Sequence, residues 1–362
     1  MRRLTRTAAK GSLLKDSYRS HSGQPPLGSA ATWVSRPTSA DSVWVWVPFE
    51  VDKKYDGYRI DRFLSQRLVG YSRSKVQSIL AEARVLKEDR PAKANTKVKT
   101  GDKIQIAYLR CPETPLAADA SLPILFEDED LLLVNKPAHL LSHPTDKIVD
   151  NTVLGILRHS RPDLPKMHLL HRLDRETSGV IALAKNAKAA RAWTRHMQAH
   201  RIQKEYLALV RGRVSPAEGV IDLPIGLVGG AIRVRQGVNA PGAVSALTKY
   251  RVQSFFDLPG SVAHVFPETG RLHQIRVHFA AIGHPLLGDP LYTGEGEIYK
   301  KMTQGIATEA DRASLGFPRV ALHAVGLTFL HPSTEKQLKI SAPVPSDMAE
   351  YLGSRILFGE QI

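Results

Sequence analysis

The sequence predicts an α+β protein in which a small α/β domain precedes a larger domain built on a mixed, mainly antiparallel sheet. Three observations carry that prediction. Short apolar or alternating runs recur from Leu131 to Leu330 with few helical stretches between them. The excess of positive charge is concentrated in the front third of the chain. Residues 110–121, with Pro112, Pro115 and no periodicity, form a linker between the two regions.

Residues 1–45 are rich in Ser, Thr, Ala, Gly and Arg, carry seven basic residues against only Asp16 and Asp41, and show no sustained period. They are expected to be a disordered basic extension, with a mitochondrial transit peptide as the alternative. Residues 46–109 form the small domain. Trp44, Trp46 and Phe49 alternate along a first strand, and Ile60, Phe63, Leu64 and Leu68 fall at helical spacing. Ser72 precedes a second helix with Val76, Ile79, Leu80 and Ala83 on its apolar face and Arg73, Lys75 and Arg84 on or beside it. Gly101-Asp102-Lys103 turns into the alternating strand Ile104-Gln105-Ile106. Residues 122–362 form the large domain, with strands at Leu131–Val134, Val180–Ala184, Tyr206–Val210, Ala246–Val252, Val262–Phe266 and Leu322–Leu330. Its clearest helix is Asn186–Gln198, and another follows Gly270, with the stripe Ile275, Phe279 and Ile282 ended by Gly283. No internal repeat is evident.

The 362 residues suffice to bury a core without staples, and no apolar run approaches the ~18 residues of a membrane span. A single cysteine, Cys111, excludes an internal disulfide and a Cys-based zinc site and fits a reducing compartment, so a cytoplasmic location is expected. Of the net charge of +15, most lies in residues 1–110, which hold 22 Lys and Arg against 10 Asp and Glu. Such a basic segment attracts polyphosphate through counterion release, which makes nucleic acid the default partner. A solvated basic face or an anionic membrane surface would carry the same charge.

The densest motif is His171-Arg172-Leu173-Asp174-Arg175-Glu176-Thr177-Ser178-Gly179. Leu169-Leu170 before it and Val180–Ala184 after it read as buried strands, so the connector displays Asp174 on a rigid scaffold. On the residues alone, Asp174 equally suits an ion pair with Arg172 or Arg175, or a turn cap. Two further segments, Lys204-Glu205-Tyr206 leading into Leu207–Gly212 and Gly270-Arg271-Leu272-His273-Gln274-Ile275-Arg276-Val277-His278, follow in order.

Together these three segments resemble the RluA-like family of pseudouridine synthases, which modify ribosomal and transfer RNA. Weaker similarities are Glu127–Pro137, Gly288-Asp289 with Tyr292, and Leu322-His323-Ala324 followed by Leu327, Phe329, His331 and Pro332, so that the resemblance spans roughly residues 122–345. The small domain resembles the RNA-binding domain of ribosomal small-subunit protein four through Arg59-Ile60-Asp61 and Ser72-Arg73-Ser74. That domain's usual valine-asparagine-glycine turn is replaced here by Val85 and Leu86-Lys87-Glu88-Asp89-Arg90.

The resemblance implies that one uridine leaves its stack, that its glycosidic bond breaks, and that the base rejoins through ring carbon 5 without any cofactor or metal. It makes Asp174 the essential carboxylate and Arg276 its counter-charge. Tyr206 would stack on the uracil and help remove the proton from carbon 5, and Leu327 would form the aliphatic wall. Arg172 is expected to follow the base or bind phosphate, and Lys204, Arg271 and His273 to hold RNA near the cleft, with Arg73 and Lys75 on the small domain. Whether Asp174 attacks ribose, attacks uracil or removes a ribose proton is not legible. Large-subunit ribosomal RNA is the expected substrate, transfer RNA the alternative, and neither a membrane nor an obligate protein partner is implied. Three other readings compete: an inactive RNA-binding or ribosome-assembly factor, a metal nuclease using His273, His278, His284 and Asp289, and a hydrolase using His171, Asp174 and Ser178. The five-residue step from His273 to His278 suits paired helical ligands poorly, and Ser178 lacks a nucleophile elbow.

Overall fold

The computed structural model describes residues 43–68, 73–110, 116–117, 119–145, 148–164, 166–230, 232–256, 260–353 and 356–358. The basic extension before residue 43, Ser72 and Cys111 lie outside the described residues. The chain divides into two compact units near residue 114.

The first unit comprises β1 (Val43–Glu50), α1 (Ile60–Arg67), α2 (Arg73–Ala81), β2 (Val85–Lys87), β3 (Arg90–Pro91) and β4 (Lys103–Arg110). Its sheet runs β1-β4-β2-β3, all antiparallel. Ile60, Phe63 and Leu64 from α1 and Val76, Ile79 and Leu80 from α2 bury their stripes with Val85, Ile104 and Ile106 of the sheet, as the 3.6- and 2-residue periods require. The second helix stops at Ala81, and Ala83 takes a left-handed conformation (φ 55°), so it is not part of the helical stripe. Glu88 and Asp89 are both left-handed between β2 and β3, the two-residue geometry that Asn-Gly usually supplies. Glu88 secures it by accepting from the Lys103 N–H, and Asp89 by accepting from Gln105.

Asp61, fully buried in α1, accepts from Arg59, Arg73 and Gln77. Burial opposes its charge, but these donors hold the carboxyl well below its ordinary value. Asp61→Ala therefore leaves two guanidiniums without their shared partner. Because both are half exposed, the expected loss is moderate, on the order of 1–2 kcal/mol, read as a lower denaturant midpoint at unchanged slope.

The second unit begins with β5 (Ile124–Glu127), β6 (Leu131–Lys136), α3 (Val153–Ser160), β7 (His168–Leu169), β8 (Ser178–Ala184), α4 (Ala187–Gln198) and β9 (Ile202–Arg211). It continues with β10 (Glu218–Asp222), β11 (Ile225–Leu227), β12 (Gln236–Val238), β13 (Leu247–Phe256), β14 (Gly260–Pro267) and α5 (Gln274–Ala281). It ends with α6 (Glu297–Thr303), α7 (Glu309–Ala313), β15 (Leu322–Leu330), β16 (Gln337–Ser341), α8 (Ser346–Gly353) and β17 (Ile356–Phe358). The main sheet has the order β10-β13-β14-β9-β15-β8-β6-β5, with β16 on β15, β17 on β13 and β7 on β8. Every described pairing in it is antiparallel except β8 with β15, so the sheet is mixed and mainly antiparallel, as expected.

That parallel pair places the Asp174 connector against the middle of the sheet. Gly179 has φ 112°, and a Cβ there would lie 2.2 Å from the Ala324 carbonyl oxygen, so only glycine permits the approach. One side of the sheet packs Leu132, Val134, Ile181, Leu183, Tyr206 and Ala208 against Ile275 and Phe279 of α5. The helix carrying Arg276 is thereby seated beside the strand carrying Tyr206. Among the described residues no helix is long and apolar enough to cross a membrane.

Candidate active site

A cleft of about 450 Å³ is lined by residues of all three motifs, among them Arg172, Asp174, Lys204, Tyr206, Arg271, His273 and Arg276. Its first wall is the connector between β7 and β8. Ser142 Oγ both donates to the Leu173 carbonyl (2.8 Å) and accepts from the Leu173 N–H (3.0 Å), and the Asp174 carbonyl accepts from Thr177 N–H (3.1 Å). Fully buried Lys136 donates to the carbonyls of Pro137 (2.9 Å), Leu140 (2.7 Å) and Arg175 (3.2 Å), fastening the residue after Asp174. Burial brings the Lys136 ammonium down to about 7, against which the Glu176 and Asp174 carboxylates pull upward.

The second wall is the turn from Gly270 into α5. Gln274 folds this turn upon itself, its side-chain oxygen accepting from Thr269 Oγ1 (2.7 Å) and the Arg271 N–H (2.9 Å) while its amide donates to the Leu247 carbonyl and Thr248. His278, one turn on, bonds Thr248 Oγ1 and the Leu223 carbonyl. Both residues thus pin α5 to the sheet and its neighbouring loop. His284 bonds the Arg211 carbonyl, and among the described residues no group of three or more His, Cys, Asp or Glu is placed to hold a metal ion.

Between the walls, Arg276 Nη1 donates to Asp174 Oδ2 (3.1 Å). The other edge of the guanidinium donates to Asp289, from Nε to Oδ2 (2.6 Å) and from Nη2 to Oδ1 (2.9 Å). Asp289 is fully buried and also accepts from the N–H groups of Leu291 and Tyr292. Gly288 makes this possible: it is left-handed, and a Cβ would lie 1.5 Å from the Arg319 carbonyl oxygen. Burial works against the Arg276 charge, but Asp289 and then Asp174 outweigh it and hold the guanidinium above its ordinary value. The Tyr292 ring lies 5.1 Å from the guanidinium carbon and adds a cation–π contact.

Tyr206 is buried in the cleft wall, and burial followed by the Asp174 charge pushes its phenol above the ordinary value. Burial also lowers the Lys204 ammonium. Arg172 is exposed at the cleft, while Arg271 donates to the Ser245 carbonyl (2.9 Å). Burial brings His171 down to about 3 and His273 to about 4. Both are therefore neutral in the folded protein, whereas an unfolded histidine protonates near 6.5. Because the unfolded chain then binds more protons, stability should fall as the pH drops below about 6.5, by on the order of 2 kcal/mol for each of the two histidines at pH 5. Thermal unfolding across that window, compared with a His171→Asn variant that no longer titrates there, measures the contribution.

Leu327 is not a wall of the cleft. It packs with Leu131, Leu133, Val180, Ala182, Trp193 and Phe329, and Leu322 of the same strand lines the cleft. The pairing of β15 with β9 shifts register between Ala324 and Gly326, so simple alternation does not identify which leucine faces the site. In the first unit, Arg73 is engaged with Asp61, and Lys75 lies on α2. Sequence reading assigned no positioning role to Lys136, Ser142 or Asp289. The similarities at Asn135-Lys136-Pro137 and Gly288-Asp289 are the only signal for Lys136 and Asp289, and no motif marks Ser142.

Residues 130–281 match the family model described as RNA pseudouridylate synthase. The chain is 38% identical over 297 residues to ribosomal large subunit pseudouridine synthase D of Vibrio parahaemolyticus, covering 81% of this chain and 89% of the relative. It is 34% identical over 301 residues to the protein of that name in Escherichia coli, covering 82% and 90%. The solved structure of human RNA pseudouridylate synthase domain containing 1 matches with a TM-score of 0.51 at 28% identity, covering 64% of this chain and 87% of that one. With relatives this similar across most of their length, and a carboxylate, guanidinium and tyrosine converging on one cleft, the chain belongs to the RNA pseudouridylate synthase family and is an isomerase.

Proposed function

We propose that the protein isomerises uridines of large-subunit ribosomal RNA, with Asp174 as the essential carboxylate. The observation that carries this reading is the placement of Asp174 at a cleft of nucleotide size, fixed by Arg276 and flanked by Tyr206. A uridine flipped into the cleft loses the bond between ribose and ring nitrogen 1 and gains one from ribose to ring carbon 5. The hydrogen of carbon 5 leaves to solvent, and nitrogen 1 takes up a proton. Burial, then the Asp174 charge, keeps the Tyr206 phenol protonated at rest, and its ring serves as the stacking platform for the flipped base. Arg172, Lys204 and Arg271 bind the flanking backbone, and the first unit, preceded by the basic extension, adds charge-driven affinity for RNA. The working location is then the cytoplasm, where ribosomes are made.

The substrate assignment rests on two relatives named for the large ribosomal subunit, whose similarity runs over about nine-tenths of their length. It is tested by incubating the protein with unmodified large-subunit ribosomal RNA and with transfer RNA, then mapping pseudouridine by carbodiimide-dependent primer-extension stops. New stops in the ribosomal RNA are expected. Stops in transfer RNA alone would reassign the substrate, and none on either RNA or on ribosomal particles would favour an inactive binding factor.

A further inference from the structure

His273 lies in the cleft between Asp174 and Tyr292, and its contacts define where its proton sits. The Tyr292 hydroxyl accepts from the Gln236 backbone N–H (3.0 Å), a bond that can run in one direction only. The same hydroxyl lies 2.9 Å from His273 Nδ1. A second lone pair remains on the oxygen, but among the described contacts only donation to Nδ1 gives the hydroxyl hydrogen an acceptor. In the neutral imidazole the proton then resides on Nε2, and Nε2 faces Asp174 Oδ2 at 3.9 Å. Burial, then the neighbouring Arg276 charge, keep the ring neutral, while burial first of all keeps the Tyr292 hydroxyl protonated. The backbone adds a second constraint: His273 is left-handed (φ 57°) at the start of α5, and Tyr292 packs edge-on against its ring at 80°. A histidine held in a sparsely populated conformation, with one nitrogen tied to a buried tyrosine, is a fixed donor rather than a mobile RNA contact.

We propose that His273, locked by Tyr292 as its Nε2–H tautomer, is a positioning residue that with Arg276 holds one oxygen of the Asp174 carboxylate and leaves the other to react. This rests on Asp174 being the essential carboxylate. The contacts to Asp174 side-chain oxygens described above all fall on Oδ2, from Arg276 Nη1 at 3.1 Å and His273 Nε2 at 3.9 Å, so Oδ1 is the oxygen presented to the nucleotide. The His273 separation exceeds a hydrogen bond and closes with a small rotation of the carboxylate when the cleft fills. Gln236, from the β11–β12 hairpin, is thereby coupled through Tyr292 and His273 to the orientation of Asp174.

Two measurements test it. In the unmodified protein labelled with nitrogen-15 histidine, His273 should show a protonated-type shift at Nε2 and an unprotonated-type shift at Nδ1 at neutral pH; the reverse pattern overturns the proposal without reference to activity. On large-subunit ribosomal RNA tritiated at uracil carbon 5, His273→Ala should lower kcat about tenfold, the worth of one hydrogen bond to a charged group, with KM within about twofold. His273→Gln, which keeps an N–H donor at the Asp174 end, should recover most of that loss, and His273→Asn should not. Tyr292→Phe, which releases Nδ1, should resemble His273→Asn. A rise in KM at unchanged kcat would make His273 an RNA contact and overturn the proposal. Asp174→Ala measured in parallel separates the two readings. Its retention of turnover defeats the Asp174 assignment, whereas its loss with unaffected His273 variants defeats the present proposal alone.

Discussion

Replacing Asp174 by Ala should reduce pseudouridine formation by on the order of 10⁴-fold or more, the scale on which removal of a nucleophile or essential base is felt. Binding of the same RNA should stay within about twofold, because phosphate contacts by basic side chains supply most of the affinity. The fold should also survive. Arg276 keeps both bonds to Asp289 when Asp174 is gone, so no buried charge is left unpaired. Steady-state tritium release, filter binding and thermal unfolding on one preparation separate these three quantities. Loss of binding together with activity would show that Asp174 shapes the site rather than reacting in it.

The second large effect is expected at Asp289, which approaches no more closely than the far edge of Arg276. Asp289→Ala strips a buried guanidinium of two bonds and frees the N–H groups of Leu291 and Tyr292. Breaking a buried pair from one side costs roughly 3–5 kcal/mol, so the unfolding midpoint should drop steeply. Asp289→Asn keeps the shape and one acceptor and should fold. Its Arg276 is no longer held from both sides, and a misplacement of about 1 Å at the reacting carboxylate costs about 10²-fold in kcat. Arg276→Lys should behave similarly, since an ammonium cannot serve Asp289 with two donors and Asp174 with a third in one plane. Normal turnover in a folded Asp289→Asn protein would remove the orienting role.

The residues that meet in the cleft were more legible than the residues that hold them. Asp174 stands in a polar connector between two apolar strands, Tyr206 in an alternating strand, and Arg276 next to the apolar stripe of a helix, and each pattern survives in one dimension. Asp289 does not, because its role depends on Gly288 passing within contact of Arg319, a residue thirty-one positions later. Lys136 reads as the end of an apolar strand, and only folding brings the Arg175 carbonyl, thirty-nine residues away in sequence, onto its ammonium. Leu327 and Leu322 share one strand, and the register shift between them decides which reaches the cleft. The turn between β2 and β3 lacks the usual valine-asparagine-glycine, and Glu88 and Asp89 adopt the left-handed pair of a two-residue hairpin with their carboxylates bonded to β4. His273 was expected to touch RNA, and its bond to Tyr292 depends on a loop nineteen residues further on.

The most direct test of the account is tritium release from carbon 5 of uracil in large-subunit ribosomal RNA, with the unmodified protein and Asp174→Asn side by side. Release should match the number of pseudouridines mapped in the same RNA, with only background release from Asp174→Asn, which keeps the shape of the carboxylate but not its charge. Turnover by Asp174→Asn at the rate of the unmodified protein would contradict it.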